Sequence, residues 1–496
     1  MLVQGFYTAS PLLDESHRTA TVRMVSPLSA TFLIFALVSG LLSQRYKADA
    51  KKRTWALCGV TLLFWAWMDI RNAVVLCGVS TWVWYVTHRI EGAVRGTRAH
   101  TWWRRGGVLG VLCVLVWFKA LPELGGFIAD AQGRESMFER WWQPLGIAIL
   151  ALQAVMYIVD VSRRDAPAGS LPEAALVCGF FPRALAGPLV RAGSFVGQLR
   201  RDWDGRVPLE RVAVLVMAAC IKRYVLIETL MRYDALTTST NRDLGAWDSL
   251  WHLLVGPMLT VLDVAAYTEL ALAAALMSGI TLPENFNAPF SGWTVSEMWR
   301  RWHITVSGFF RDYVIAPLRG NSTSATRGTF AIIGGVSAIG LWHTMQPAML
   351  LWSVLLGLPM AYEAVSAQRR AKNSGRFRRT QPKPVRRWAQ AVFVYLYISS
   401  FAQLFHGAGV GDAVRSLQSL TNPLWATHWT SPWVLLCILC GWAYGAGLFA
   451  WLGTISMKML SRMPSFMVGL FCAIVVTMCA AFSDGGIPRF YYQRLG

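Results

Sequence analysis

The sequence is short of charge. Of its 496 residues, 15% are Asp, Glu, Lys or Arg, against about 25% in a typical soluble domain. It also lacks the signatures of several common chemistries. No Cys/His spacing suited to a metal occurs, so no metal ligand is assigned. No Walker loop or dinucleotide fingerprint is present, which argues against ATP hydrolysis and nucleotide-dependent redox chemistry. No Ser-His-Asp or Cys-His spacing is readable near the histidines, which favours direct group transfer over a covalent enzyme intermediate. There is no clear internal repeat, and no stretch reads as a soluble domain.

What is present is apolar length. Hydrophobic residues make up 54% of the chain, and the mean hydropathy is +0.40. Runs near membrane-spanning length recur at Ser26–Gln44, Trp55–Asp69, Ala73–His88, Gly106–Leu121, Leu145–Val161 and Pro464–Phe482. Ser26–Gln44 is not followed by a small-residue cleavage site, so it is expected to be a retained first span. The nine cysteines are scattered through apolar segments (Cys58, Cys77, Cys113, Cys220, Cys437 and Cys479 among them) and read as buried free thiols. Tryptophan pairs such as Trp65/Trp67, Trp102/Trp103 and Trp141/Trp142 lie at run ends, where indole favours the membrane interface.

The net charge of +20 sits in short loops between these runs rather than in a patch suited to nucleic acid, so no nucleic-acid partner is expected. Arg369–Arg387 holds nine Lys/Arg and no acid, while Arg45–Arg53 and Arg89–Arg105 each hold five bases and one acid. Leu121–Trp141 has four acids and two bases, and Tyr233–Asp248 three acids and one base. This alternation is the positive-inside pattern, placing the basic loops in the cytoplasm and the N-terminus outside.

The middle of the chain is irregular. Leu171–Leu199 is apolar but interrupted by Pro172, Pro182 and Pro188 and by Gly179, Gly187 and Gly193. Backbone so broken must be buried in protein or line a wet cavity, as a re-entrant or surface-lying segment. Leu250–Leu282 is apolar over 33 residues, about 50 Å as a straight helix and more than a bilayer core needs. Pro257 is expected to kink or divide it, and Asp263 and Glu269 within it require interior partners. Ser296–Asn321 reads as one helix whose apolar face is Trp299, Trp302, Val306, Phe309 and Tyr313, with Arg300, Arg301, His303, Arg311 and Asp312 off that stripe. Gly328–His343 reads as a short span ending at His343, broken by Pro347 before Met349–Ser366, with further spans near Trp388–Phe405 and Trp433–Trp451.

A histidine in an apolar run is more often a hydrogen-bonded core residue than a catalyst. The setting of His343 nevertheless suits proton abstraction, because neutral imidazole can take a proton from a hydroxyl or thiol as that group attacks a thioester. The three arginines 300, 301 and 311 fit either the phosphate of a donor or lipid headgroups together with an Arg–Asp pair to Asp312.

Along the chain, FWAWMD (Phe64–Asp69), VWFKAL (Val116–Leu121), PLGIAILALQAVMYIVDV (Pro144–Val161), FFPRALAGPLVR (Phe180–Arg191), DVAAYTELALAAALMSGITLPENFNAPF (Asp263–Phe290), WRRWHITVSGFFRDYVIAPL (Trp299–Leu318), GLWHTMQPAMLLWSVLLGL (Gly340–Leu358) and FYYQR (Phe490–Arg494) occur in order. This series resembles the bacterial alginate O-acetylase and D-alanyl-teichoic acid branch of the membrane-bound O-acyltransferases (MBOAT). The resemblance implies an all-α polytopic fold, a ring of roughly 11–13 helices with re-entrant or interfacial segments around a central pore. It implies His343 as the catalytic base, assisted by His303. Trp299, Arg300, Arg301, Arg311, Asp312 and Trp342 would contact substrate or donor, and Asp263, Tyr267 and Asn285 would line the pore. No bound cofactor is implied. The donor would be an acyl thioester, acyl-CoA or the phosphopantetheine of an acyl carrier protein. The expected product is an acylated extracytoplasmic polysaccharide or envelope polymer, with acetyl the first candidate for the acyl group. A periplasmic or cell-surface transferase would be the partner, and the bacterial cytoplasmic membrane the location. Four positions depart from the family pattern: Thr344 and Arg319 stand where Gly is common, Ala266 replaces a Gly before Tyr267, and Leu356 stands where a second His is frequent.

The expected organisation is N-terminal transmembrane helices (1–162), a catalytic core (163–367), a basic cytoplasmic loop (368–387) and C-terminal transmembrane helices (388–496). A second reading, a transporter or flippase for a lipid-linked or anionic substrate, would use the broken helices, Asp263 and the arginines as a translocation path.

Overall fold

A computed structural model describes residues 30–133, 141–231, 246–374, 383–405, 410–421 and 432–481. The FYYQR ending, most of the acidic loop 233–248 and the centre of the basic segment 368–387 lie outside the described residues. Among those described, regular structure is entirely helical.

Helices α1 (Ala30–Arg45), α2 (Ala50–Met68) and α3 (Ile70–Glu91) open the chain. Asp69 is both the end of α2 and the start of α3: its N–H closes on the Trp65 carbonyl, and its carboxylate accepts from the Arg71 N–H at 2.8 Å. A single extended residue therefore joins two helices. Helix α4 (Arg98–Leu115) passes through a π-turn, Val116–Ala120, into α5 (Leu121–Ala131). Helix α6 (Ile147–Arg163) is buried along nearly its whole length and packs against α3 and α4.

The irregular middle is buried, as its prolines required. It forms α7 (Leu171–Gly179), a 3-10 turn at Phe181–Arg183 and α8 (Ala192–Leu199). Two buried arginines complete the ends of these short helices. Arg183 donates to the Leu176 and Val177 carbonyls of α7, and Arg53 to the Gln198 and Arg201 carbonyls at the end of α8. A cation on C-terminal carbonyls answers both the orphan acceptors and the helix dipole.

Helix α9 (Leu209–Cys220) runs through a second π-turn, Ile221–Ile227, and packs on α10 (Ala246–Met277). Helix α10 is continuous through Pro257, which corrects any expectation of a division there. The lost backbone bond is tolerated inside a helix walled by others, and the nearby Thr260 hydroxyl caps the Gly256 carbonyl at 3.2 Å.

The single helix expected over 296–321 is not formed. It is α11 (Val295–Arg301), a break at Trp302–His303, α12 (Ile304–Phe310), a third π-turn at Arg311–Ile315 and a final turn, Ala316–Arg319. The apolar stripe survives the break, because Val306 and Phe309 enter the core while Trp299 and Tyr313 pack on it. Helices α13 (Ala325–His343) and α14 (Pro347–Ser374) then form a tightly packed pair, and the boundary expected at 367/368 falls within α14. The remaining helices are α15 (Pro384–Ser399), α16 (Val410–Gln418), α17 (Pro432–Gly445), α18 (Ala450–Leu460) and α19 (Ser465–Ala481). Trp433–Trp451 is not one straight span: the chain bends by 86° between Val434–Gly445 and Ala450–Leu460.

Among the described residues, Arg98–Gly126, Ser249–Met277 and Pro347–Arg370 are long and apolar enough to cross a membrane, and the bent pair supplies a fourth crossing if it acts as one. The outer surface carries Leu33, Ile34, Leu37, Leu41, Leu63, Trp67, Phe466, Leu470 and Met478. An aqueous surface does not sustain apolar exposure on that scale. The protein is a multi-pass membrane protein. Cys77 and Cys113 lie on this outer face, which corrects the reading of them as buried. Trp65 is the converse: it is buried, and its indole donates to the Gly179 carbonyl at 2.8 Å, so it serves packing and not the interface.

Candidate active site

The break in the 295–319 segment falls at Trp302–His303. Helix α11 is capped by the Thr294 hydroxyl, which accepts from the Glu297 N–H, and it ends where the Trp302 N–H reaches the Met298 carbonyl. His303 then takes φ 40° and ψ 54°, a left-handed conformation that β-carbon crowding disfavours. Segment 285–287 crosses the break and satisfies its backbone. The Ile304 N–H donates to the Asn285 carbonyl at 2.8 Å, and the Asn287 N–H to the Arg301 carbonyl at 3.0 Å.

The Asn285 side chain braces the same turn. Its carbonyl oxygen accepts from the Thr305 hydroxyl at 2.6 Å, and its amide donates to Thr268 on α10 at 3.3 Å. Thr305 in turn accepts from the Leu189 N–H at 3.0 Å. Three separate stretches of chain therefore fix one strained residue. The His303 imidazole is 7% exposed, and among the described residues neither ring nitrogen has a hydrogen-bond partner. Its ring neighbour is Phe286, at 6.2 Å between centroids.

His343 is the last residue of α13. Gly340 allows α13 to approach α14 there, since a β-carbon at 340 would stand 2.1 Å from the Ser353 hydroxyl oxygen. Trp342 is buried, donates to the Ala148 carbonyl at 3.3 Å and sets its ring edge-on to His343 at 4.6 Å. His343 is half-buried. It lies within electrostatic range of His303 and of Lys119. The two histidines expected to act together therefore lie within electrostatic range of each other, and the ring contacts are to Phe286 for His303 and to Trp342 for His343.

The fold also brings in two residues that sequence reasoning did not select. Lys119, in the first π-turn, is 8% exposed and stands 3.3 Å from Glu123. Glu123 accepts the N–H of Met345, two residues beyond His343, at 2.8 Å. The available signal was an acid and a base four residues apart inside an apolar run.

The other expected site residues fall into separate groups. Arg300 and Arg301 both pair with Glu297, at 2.6 and 3.1 Å. Arg311 pairs with Asp312 at 2.7 Å, and Arg191 also donates to Asp312. Arg191 donates to the Tyr313 hydroxyl as well, which donates to Asp160, and Arg163 stacks over the Tyr313 ring. Trp299 packs against Trp352. Asp263 is fully buried in a pair with Arg223 at 3.2 Å. The Tyr267 hydroxyl accepts from the Leu185 N–H and donates to the Pro182 carbonyl, so it holds the loop after α7. Leu356, where the family often has His, lies in the apolar core between α13 and α14.

Residues 147–406 match the model of the MBOAT, membrane-bound O-acyltransferase, family. The chain belongs to this family. The match contains both histidines, Asn285 and the ion pair at Asp263, while Lys119 and Glu123 precede it. Among curated MBOAT-type relatives, "Probable alginate O-acetylase" of Pseudomonas aeruginosa is 28% identical over 344 residues, covering 68% of this chain and 65% of that protein. "Peptidoglycan O-acetyltransferase" of Helicobacter pylori is 22% identical over 401 residues, 73% of this chain and 72% of the relative. "Teichoic acid D-alanyltransferase" of Bacillus subtilis is 26% identical over 232 residues, 42% and 56% of the respective chains. The chain therefore spans just under two thirds of the Pseudomonas aeruginosa relative's length.

Proposed function

We propose that the protein transfers an acyl group from a thioester donor to a hydroxyl, with His343 as general base and His303 assisting. The observation that carries this reading is the buried His303 imidazole, held in a strained turn with neither nitrogen hydrogen-bonded among the described residues and within electrostatic range of the half-buried His343. A buried polar group without a partner costs about 1–3 kcal/mol, and left-handed backbone at a non-glycine residue adds about 1–3 kcal/mol. Such costs are retained where the geometry serves chemistry.

In the proposed step, an imidazole nitrogen of His343 takes the proton of the acceptor hydroxyl as its oxygen attacks the thioester carbonyl carbon. The C–S bond then breaks, and the departing thiolate receives that proton, leaving an ester and a free thiol. The donor is acyl-CoA or an acyl carrier protein's phosphopantetheine. Arg300, Arg301 and Arg311 supply guanidinium groups for its phosphate, with Asp312, Trp299 and Trp342 shaping the approach. Relatives named for O-acetylation of alginate and of peptidoglycan support acetyl as the acyl group and an envelope polysaccharide as the acceptor. A periplasmic or cell-surface transferase would complete delivery. The basic loops are assigned to the cytoplasmic face of a bacterial inner membrane.

Asp263, which a translocation path would use, is held by Arg223, and Arg300, Arg301 and Arg311 pair with Glu297 and Asp312, which supports transfer over transport. The test uses the full chain in proteoliposomes with a labelled acyl thioester. Free thiol release from the native protein and its loss in His343→Ala are expected, with the variant still inserted and folded. Full activity of purified His343→Ala, or passage of intact thioester, overturns the reading.

A further inference from the structure

Helices α4 and α5 are mostly lipid-facing, yet Lys119 in the turn between them is buried and Glu123, in the first turn of α5, is half-buried beside it. Lys119 and Glu123 interrupt an otherwise apolar crossing, Arg98–Gly126. An ion pair here is a poor means of holding helices together, because apolar side chains of similar volume pack as well without desolvation. Its geometry points elsewhere. One carboxylate oxygen of Glu123 faces the Lys119 ammonium at 3.3 Å, while the other accepts the Met345 N–H at 2.8 Å. The two oxygens thus have two partners, one on their own helix and one 222 residues away.

Met345 lies in the three-residue turn joining α13 to α14, and His343 is the residue on which that turn begins. Thr344 is extended, at φ −159° and ψ 149°, so the turn leaves the helix at once. The tight approach of Gly340 to Ser353 fixes α13 from behind. Fixing Met345 from in front completes the hold on the end of α13. The Lys119 side lies close enough for its charge to be felt at the His343 ring. Lys119 lies in the π-turn Val116–Ala120 and is buried there, and π-turns inside helices are frequent at functional sites.

We propose that Glu123 is a positioning residue for His343, fixing the 344–346 turn through the Met345 N–H, and that Lys119 holds the Glu123 carboxylate in place. This inference rests on the reading of His343 as base. The family match does not cover either residue.

The experiment compares Glu123→Ala, Glu123→Gln and Glu123→Asp in the full-length protein in proteoliposomes, measuring kcat and KM for the acyl thioester. Gln keeps the reach and an acceptor oxygen but loses the charge. Asp keeps the charge but withdraws the oxygen from Met345. Glu123→Ala is expected to lower kcat about 100-fold, as misplacement of a catalytic group by about 1 Å does, with KM unchanged. Glu123→Gln should recover to within about 5-fold of the native rate, the cost of exchanging a charged for a neutral acceptor. Glu123→Asp should stay with Ala. A purely electrostatic role reverses the order of Gln and Asp, and that order would overturn the proposal, as would native kcat in Glu123→Ala; a packing role instead lowers Tm and the folded fraction with kcat per folded protein unchanged, and that outcome overturns it as well. The Gln and Asp variants decide the matter even if Glu123→Ala does not accumulate. His343→Ala run alongside separates the two readings. An inactive His343→Ala with a flat Glu123 series removes only this inference, whereas an active His343→Ala removes the base itself.

Discussion

Two sets of ionisable side chains lie inside the helix assembly, and the protein treats them in opposite ways. Between α9 and α10 the described residues form two closed acid–base pairs, although the Arg223 Nε itself makes no hydrogen bond. Lys222 reaches both oxygens of Glu269, at 2.6 and 2.7 Å, and lies 4.2 Å over the Tyr444 ring, while Arg223 meets Asp263 with neither side chain exposed. At the His303 turn the surrounding groups are equally well satisfied, Asn285, Thr305 and Thr268 among them, but the imidazole at their centre is not. Charges closed on one another suit a structural role, whereas a buried ring with neither nitrogen hydrogen-bonded among the described residues, held in a left-handed turn, suits the proposed chemistry.

The sharpest way to break this contrast is to damage the closed pairs. Arg223→Ala leaves the Asp263 carboxylate buried without its charge partner, a change that costs about 3–5 kcal/mol. The expected outcome is loss of folded protein, read as reduced recovery and a lower Tm in detergent, with any residual activity tracking the folded fraction. The double replacement Arg223→Met with Asp263→Leu removes both charges and should restore most of that stability, since apolar pairs often match buried ion pairs. Failure of the double variant to recover while its fold is otherwise sound would move this pair from structure to function.

The opposite outcome is expected at the His303 turn. His303→Gly relieves the positive φ and removes an unsatisfied buried ring, so the protein should be unchanged or more stable by about 1 kcal/mol. Acyl transfer should fall by about 100-fold, the lower range for loss of an acid–base group. Thermal melting and thiol release on the same preparation check both halves. Destabilisation together with a proportionate loss of activity would make His303 an ordinary core residue and dissolve the comparison.

Much of this is legible in the sequence because apolar length and loop charge are local properties. Asp263 and Glu269 announce a need for partners by their depth in an apolar run. The partners, Lys222 and Arg223, come from a π-turn some forty residues earlier; they too interrupt an apolar run, but nothing in the sequence pairs them with these acids. The single helix expected over 296–321 fails for a related reason. Its apolar stripe continues through the break, and what stops the helix is a left-handed His303 held by Asn285 from another segment. Periodicity reports which face is buried, and it is silent on a backbone reversal stabilised from outside. Lys119 and Glu123 are visible as an ion-pair spacing, but their contact with the His343 turn is a property of the assembled fold.

The smallest expected effect lies at the border of the two sets. Arg300 pairs with Glu297 at 2.6 Å, three residues away on α11, and its side chain is half exposed. Exposed helical pairs of this kind contribute about 0.2–1 kcal/mol, so Arg300→Ala should leave Tm nearly unchanged. A guanidinium has five N–H donors, and Glu297 occupies few of them, so Arg300 retains donors for an anionic ligand. If those donors meet the donor's phosphate, Arg300→Ala raises KM for the thioester severalfold at constant kcat, the mark of uniform binding. The rise should also shrink with added salt, because an exposed charge contact is screened. Unchanged KM at low salt would leave Arg300 as the outer half of an ion pair and place it with the structural set.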